Sequence, residues 1–213
     1  MKTRQLFSLV STLSGVTRFS MLKAVHTETV LEHTGMMACF AYTLGTLINA
    51  AGNYQLDMGK LMSKATVHDW DESATGDVAR PTKYFSKTLR SEMACMEYAA
   101  VERIEQDLGL RGLRQMHGEA KEGAEGSIVK LCDIACAIHR CWEEVQVFGN
   151  LHFTLPAQRL RKVLHATMKG LELGGMNAGQ WNVIDTFALE LNNIVNDVVR
   201  KANNELQEMA SAD

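Results

Sequence analysis

Residues that interrupt helices are scarce in this chain. Two prolines, Pro81 and Pro156, stand among 213 residues. Because proline removes a backbone donor and ends or kinks a helix, so few of them leave long stretches free to stay helical. Cysteines number five, at positions 39, 95, 132, 136 and 141, with no Cys-x-x-Cys pair and no Cys/His zinc spacing. An odd count without such spacing fits reduced, buried thiols in a cytosolic protein. The net charge is -3, so there is no overall basic field, and a general nucleic-acid binder is not expected. No apolar run reaches membrane-spanning length. The stretch from Leu6 to Val16 is broken by serines and threonines and followed by Arg18, unlike a signal peptide. No internal repeat, Walker motif or Rossmann glycine pattern is present. These absences together lead us to expect a cytoplasmic protein with neither a membrane nor a nucleic-acid polymer as partner.

What remains is apolar enough to fold: 46% of the residues are hydrophobic and nothing resembles a linker. A single domain over 1–213, all-α, is expected. Helical spacing predicts a short helix over 2–14 and a longer one over 30–50, the latter burying Met37, Phe40, Leu44 and Leu47. A third is predicted over 58–68 behind an Asp57 cap, and a fourth over 86–108 behind a Ser86 cap with Leu89, Met93, Met96 and Ala100 as its stripe. Residues 109–124, with four glycines, read as a mobile loop or short helix. The segment 126–138 is apolar nearly all round and belongs in the middle of a bundle. Thr154 is expected to cap a helix ending near Gly174-Gly175, with Pro156 in its first turn. A last helix over 179–209 carries Trp181, Ile184, Phe187, Leu191, Ile194 and Val198 at helical spacing.

The polar chemistry concentrates in residues 65–77, where His68-Asp69 is followed by Asp71, Glu72 and Asp77. Anions gathered at a helix C-terminus oppose the macrodipole, and a bound cation reverses that conflict. Glu72 follows His68 by four residues, one helical turn. His33 continues the inner face of the 30–50 helix one turn earlier, where a core histidine is the plainer explanation and a ligand the alternative. Asp133 lies alone in an apolar segment, and an ionised carboxylate there needs a partner: Lys130, a histidine or a metal. His33, His68, Asp69 and Asp133 together make a two-histidine, two-aspartate set suited to a divalent cation that keeps positions open for water and substrate. Arg18, beside Phe19, has the fork geometry that grips phosphate oxygens, although a surface arginine beside a core phenylalanine is the plainer explanation of the pair taken alone.

Four pieces, in this order and spacing, resemble the HD-domain phosphohydrolases, and within them the YfbR-like bacterial 5′-deoxynucleotidases and their phage relatives. They are Arg18-Phe19, residues 27–33 ending in Glu32-His33, His68-Asp69 through Glu72 to Asp77, and residues 127–133 ending in Asp133. Pro81 and Lys83-Tyr84 extend the third. The resemblance spans roughly residues 1–150, and helices from about 154 to 210 match only as packing elements. It implies an HD-type helical bundle in which His33, His68, Asp69 and Asp133 hold one divalent cation, Co2+ or Mn2+ first, with Mg2+, Ni2+ or Zn2+ as alternatives. It further implies in-line attack of water on phosphorus in a deoxynucleotide, with Arg18 orienting the phosphate. Glu72 would position or deprotonate the water, and Asp77 would contact substrate or protonate the leaving oxygen. Phe19 stands where the bacterial enzymes carry a tryptophan that crowds the sugar 2′ position. Arg80 stands where they carry a small polar residue, close to Lys83, and adds positive charge suited to a triphosphate. The expected activity is therefore a 5′-deoxynucleotidase. The alternatives are a dATP-type triphosphohydrolase of a phage and an HD-fold interaction module without turnover. A homo-oligomer, a dimer or a higher form as in phage relatives, is the expected assembly.

Overall fold

The computed structural model describes residues 2–211. Among the described residues ten α-helices form: α1 Thr3–Leu13, α2 Val30–Ala50, α3 Met58–Val67, α4 Glu72–Thr75, α5 Arg80–Lys83, α6 Lys87–Leu108, α7 Leu113–Gly118, α8 Gly123–Trp142, α9 Thr154–Lys169 and α10 Ala178–Ser211. A π-helical turn, Glu143–Val147, continues α8, and a 3-10 turn, Leu151–Phe153, leads into α9. Among the described residues no strand forms; Thr17 and Thr29 make one isolated antiparallel bridge. Among the described residues no helix is long and apolar enough to cross a membrane.

The helix starts follow from local chemistry. Thr29 and Glu32 form a reciprocal capping box on α2, while Asp57 accepts from Lys60 N and Ser86 from Leu89 N to cap α3 and α6. Thr154 is different. It is the first residue of α9, its hydroxyl is buried without a partner, and no side chain caps that helix. The helix also stops at Lys169, five residues short of the expected glycine pair, with Gly170 as its C-cap.

Helix α8 is the axis of the bundle. Residues from Glu125 to Cys141 are buried on nearly every side, and α2, α3, α9 and α10 pack around it. Its span exceeds the apolar run at both ends because Gly123 opens it and the π turn takes over beyond Trp142. On α2 the buried face is Val30, His33, Met37, Ala41, Leu44 and Ile48, whereas Leu47 is exposed. The 3.6-residue period allows either phase, and contact with α3 and α8 selects this one. Helix α6 lies at the edge: it buries Met93, Val101 and Ile104, and Met96 faces outward. Helix α10 ties the end of α2 to the turn that follows it: the buried Gln180 amide donates to Ile48 O and to Tyr54 O.

The glycine-rich stretch 109–124 is built rather than loose. After α7, the buried Lys64 of α3 donates to the carbonyls of Glu119 (2.6 Å) and Glu122 (2.7 Å). A cation on two backbone carbonyls fixes the turn between them. That turn carries Lys121.

Candidate metal centre and its surroundings

Four elements deliver the site. Helix α2 brings His33, fully buried, on its core face. Helix α3 ends at Val67, and the chain keeps winding through His68, Asp69, Trp70 and Asp71 into α4, with Glu72 N and Ser73 N bonded back three residues. The winding holds His68, Asp69 and Glu72 on one short path. Helix α8 contributes Asp133. The segment between α1 and α2 contributes Arg18, pinned where Arg18 N donates to Glu28 O and Val30 N to Val16 O on either side of the Thr17–Thr29 bridge.

Their polar atoms converge. His33 Nε2 and His68 Nε2 face one another at 3.2 Å. Asp69 Oδ2 lies 3.1 Å from His68 Nε2 and 3.5 Å from His33 Nε2, and Asp133 Oδ1 is 3.5 Å from His33 Nε2. His33, His68 and Asp133 form a metal-compatible triple with donor atoms mutually within 4.8 Å. Asp69 falls outside that triple, its Oδ2 also accepting from Arg18 at 2.9 Å. His68 Nδ1 stands 2.8 Å from Ala65 O. A carbonyl only accepts, so Nδ1 carries a proton, and Nε2 is the ring atom turned toward the cluster. Two imidazole nitrogens and carboxylate oxygens directed at one point are the donor set of a divalent cation, and the residues fit one.

Electrostatics agrees with that fit. Burial, reinforced by Arg18, holds His33 below its ordinary value, so the ring is a neutral donor. Burial opposes ionisation of Asp69 and Asp133. His68 and Arg18 outweigh it at Asp69, Lys121 and His33 at Asp133, and both carboxyls stay well below the usual range. Burial also works against the Arg18 charge, yet Asp69, Asp133, Glu72 and Asp77 hold that guanidinium above its ordinary value. Glu72 is the exception among the acids. Burial, with Asp69 and Asp77 adding to it against Arg18, pushes its carboxyl up to about 9, and its Oε2 has no hydrogen-bond partner among the described residues.

The other residues singled out by sequence sit in distinct places. Asp77 Oδ2 accepts from Phe19 N at 3.1 Å. Phe19 holds φ at 55°, an uncommon left-handed conformation for a bulky side chain, and its ring packs at 5.8 Å on Phe153. Arg80 lies over the Tyr84 ring. Lys83 is tied to Glu97 at 2.7 Å and makes no ion pair with the His/Asp cluster. The partner of Asp133 is neither Lys130 nor a histidine alone: Lys121 Nζ donates to its Oδ2 at 2.9 Å.

Neither Lys121 nor Glu28 is conspicuous in the sequence, yet both support the cluster. Glu28 Oε1 lies 3.4 Å from Arg18 Nε and 3.6 Å from His33 Nδ1, and its Oε2 faces Arg140 Nε at 3.9 Å. Arg140 is held in turn by Glu144, which also accepts from Val25 N, His26 N and Asn150.

Comparison with known proteins places these features in a family. A family model described as 5′-deoxynucleotidase YfbR-like matches residues 5–173, reaching past the four motif pieces to the end of α9 and beyond. The 5′-deoxynucleotidase YfbR of Salmonella arizonae is 33% identical over 173 residues, covering 77% of this chain and 84% of the relative. A 5′-deoxynucleotidase of Citrobacter koseri is 33% identical over 175 residues with the same coverage. Among solved structures, an HD-domain phosphohydrolase from Listeria innocua superposes with a TM-score of 0.66 at 20% identity, over 93% of this chain and 99% of that one. A cyanophage S-2L HD phosphohydrolase, bound to dA and one catalytic Zn2+ ion, superposes with a TM-score of 0.55 at 15% identity, over 89% and 95%. The structural likenesses establish the HD-type helical fold, and the sequence matches establish more: the chain belongs to the YfbR-like 5′-deoxynucleotidase family.

Proposed function

We propose that this site hydrolyses the phosphate ester of a deoxynucleoside 5′-monophosphate, giving a deoxynucleoside and inorganic phosphate. The observation that carries the reading is the packing of one largely buried guanidinium, Arg18, 12% exposed, against Asp69 and Asp133 beside two facing imidazoles. A phosphate dianion is the ligand for which such a guanidinium is preorganised. His33, His68, Asp69 and Asp133 would hold one divalent cation, Co2+ or Mn2+ in the first instance, which supplies Lewis acidity toward phosphoryl oxygen and water.

The chain's own groups then divide the work. Arg18 orients the phosphate and offsets its charge. Glu72, one helical turn beyond His68 and with Oε2 unbonded among the described residues, holds the attacking water and takes its proton. The water oxygen bonds to phosphorus as the bond from phosphorus to the 5′ oxygen breaks, and the leaving oxygen receives a proton. Asp77 Oδ2 is occupied by Phe19 N, so contact with substrate falls to its other oxygen. That bond also sets Phe19 beside the site, where its ring limits room at the sugar.

The test is a product assay on deoxynucleoside monophosphate, ribonucleoside monophosphate and deoxynucleoside triphosphate panels with added Co2+ or Mn2+. Inorganic phosphate from dAMP is the expected result. Tripolyphosphate from dATP with nothing from dAMP would replace the reading with a triphosphohydrolase. Absence of both metal binding and turnover would leave an interaction module.

A further inference from the structure

Outside the His/Asp cluster, an open cleft of about 470 Å³ lies between α5, α8 and α9. Arg80, Lys130 and Lys162 stand around it, with Val163, Ala166, Thr167 and Gly170 as its wall. No acid lines it, and among the described residues none of the three cations forms an ion pair. Neighbouring cations do find acids: Lys60 meets Glu125, Lys83 and Arg90 meet Glu97, and Lys121 meets Asp133. In a chain of net charge -3, three uncompensated cations at one concavity repel one another, and that repulsion becomes attraction when an anion enters. The mostly apolar wall keeps the field focused on the cleft instead of screening it.

The cleft adjoins the site along the chain. Lys130 precedes Asp133 by three residues, about 4.5 Å along the helix axis, and Arg80 follows Asp77 by three.

We propose that this cleft is a second anion subsite that takes a polyphosphate group. Three cations exceed what one phosphate requires, and the volume admits a chain of phosphates. Two sources present that chemistry: the tail of a nucleoside di- or triphosphate, and a separate polyphosphate anion. The first source rests on the nucleotide reading above, whereas the second does not.

The experiment titrates inorganic tripolyphosphate, with divalent cation in excess over the anion, into metal-loaded wild type and into Lys130→Ala, Lys162→Ala and the double variant. Each single substitution is expected to weaken binding by about tenfold, the scale of one charge-assisted contact, and the double variant by more. Turnover of dAMP stays within about twofold. If the anion is a nucleotide tail, dATP competes with dAMP and its inhibition constant rises in the variants; if it is separate, tripolyphosphate alters dAMP turnover without competing. Unchanged tripolyphosphate affinity in the folded double variant overturns the subsite. Failure of wild type to hydrolyse dAMP bears on the activity alone and leaves the titration to decide the cleft.

Discussion

Glu28 presents Oε1 to Nδ1 of His33 at 3.6 Å, on the far side of the imidazole from the nitrogen that faces His68. The spacing is just beyond hydrogen-bond length, and among the described residues neither His33 Nδ1 nor Glu28 Oε2 has a hydrogen-bond partner. Burial pushes the Glu28 carboxyl up to about 7 against the pull of Arg18 and Arg140. A carboxylate behind a histidine fixes its tautomer and raises its basicity as a ligand, an effect worth about 10–100-fold in metal affinity. Glu28→Gln is therefore expected to weaken divalent-cation binding on that scale while far-ultraviolet circular dichroism stays unchanged. Chelator competition reads it directly, and an unaltered affinity removes Glu28 from the site.

Ligand and base separate experimentally. His68→Ala and Asp69→Ala are expected to abolish turnover by losing the cation, detected by metal analysis of the purified variants. Glu72→Ala should keep both metal and substrate and lose about 10²-fold or more in kcat, the range of a general base. Near-normal turnover in Glu72→Ala refutes the base assignment.

Lys121 competes with any cation for Asp133, since its ammonium lies 2.9 Å from Oδ2. Removing a positive charge beside the cluster should tighten divalent-cation binding and, with less positive charge facing the phosphate, raise KM for dAMP. Lys121→Met combines those opposite signs, whereas a merely structural lysine would weaken both together. Calorimetry for the cation and steady-state kinetics for the nucleotide measure the two halves.

These two supporting residues show where sequence reading stops. The starts of α3 and α6 were legible because Asp57 and Ser86 act on backbone groups three residues away, whereas α2 was legible from its apolar spacing and its Thr29 capping box was not. His33, His68, Asp69 and Asp133 were conspicuous because ligand-type side chains stood in apolar or anionic surroundings that did not suit them. Lys121 belongs to a stretch without periodicity, and its position is set by Lys64, more than fifty residues earlier, through two carbonyls. The phase of the α2 face, Ile48 in and Leu47 out, depends likewise on where α3 and α8 pack. Both depend on tertiary contacts that no local pattern encodes.

Glu144 gives the fold a defined response to acid. Burial opposes its charge, but Val25 N, Asn150, His26 N and Arg140 hold its carboxyl down at about 2. The unfolded chain takes up the proton near the ordinary value of 4.5, so this stabilisation is complete above that pH and is lost as pH falls toward 2. The contribution is on the order of 3 kcal/mol. Glu144→Gln should be less stable than wild type by about that amount at pH 7, with the gap closing between pH 4.5 and 2 in urea titrations. A gap independent of pH shows that the charge is not what stabilises.

Gly126 couples the fold to Lys121. A Cβ on Gly126 would meet the backbone of Lys121, 2.5 Å from its carbonyl carbon and 3.0 Å from its Cα. Backbone cannot rotate out of the way as a side-chain tip does, so the 120–121 segment must shift against the two carbonyl bonds from Lys64. Overpacking of this kind costs about 1–3 kcal/mol, and at about 2–4 °C per kcal/mol for a chain of this size the melting temperature of Gly126→Ala should fall measurably. The shift also carries the Lys121 ammonium away from Asp133, so the variant should reproduce part of the Lys121→Met kinetics. Gly118→Ala is the control, because a Cβ there meets nothing within 4 Å and alanine suits a helix better than glycine. A stability loss in Gly126→Ala without any change in KM for dAMP would uncouple the helix start from the site.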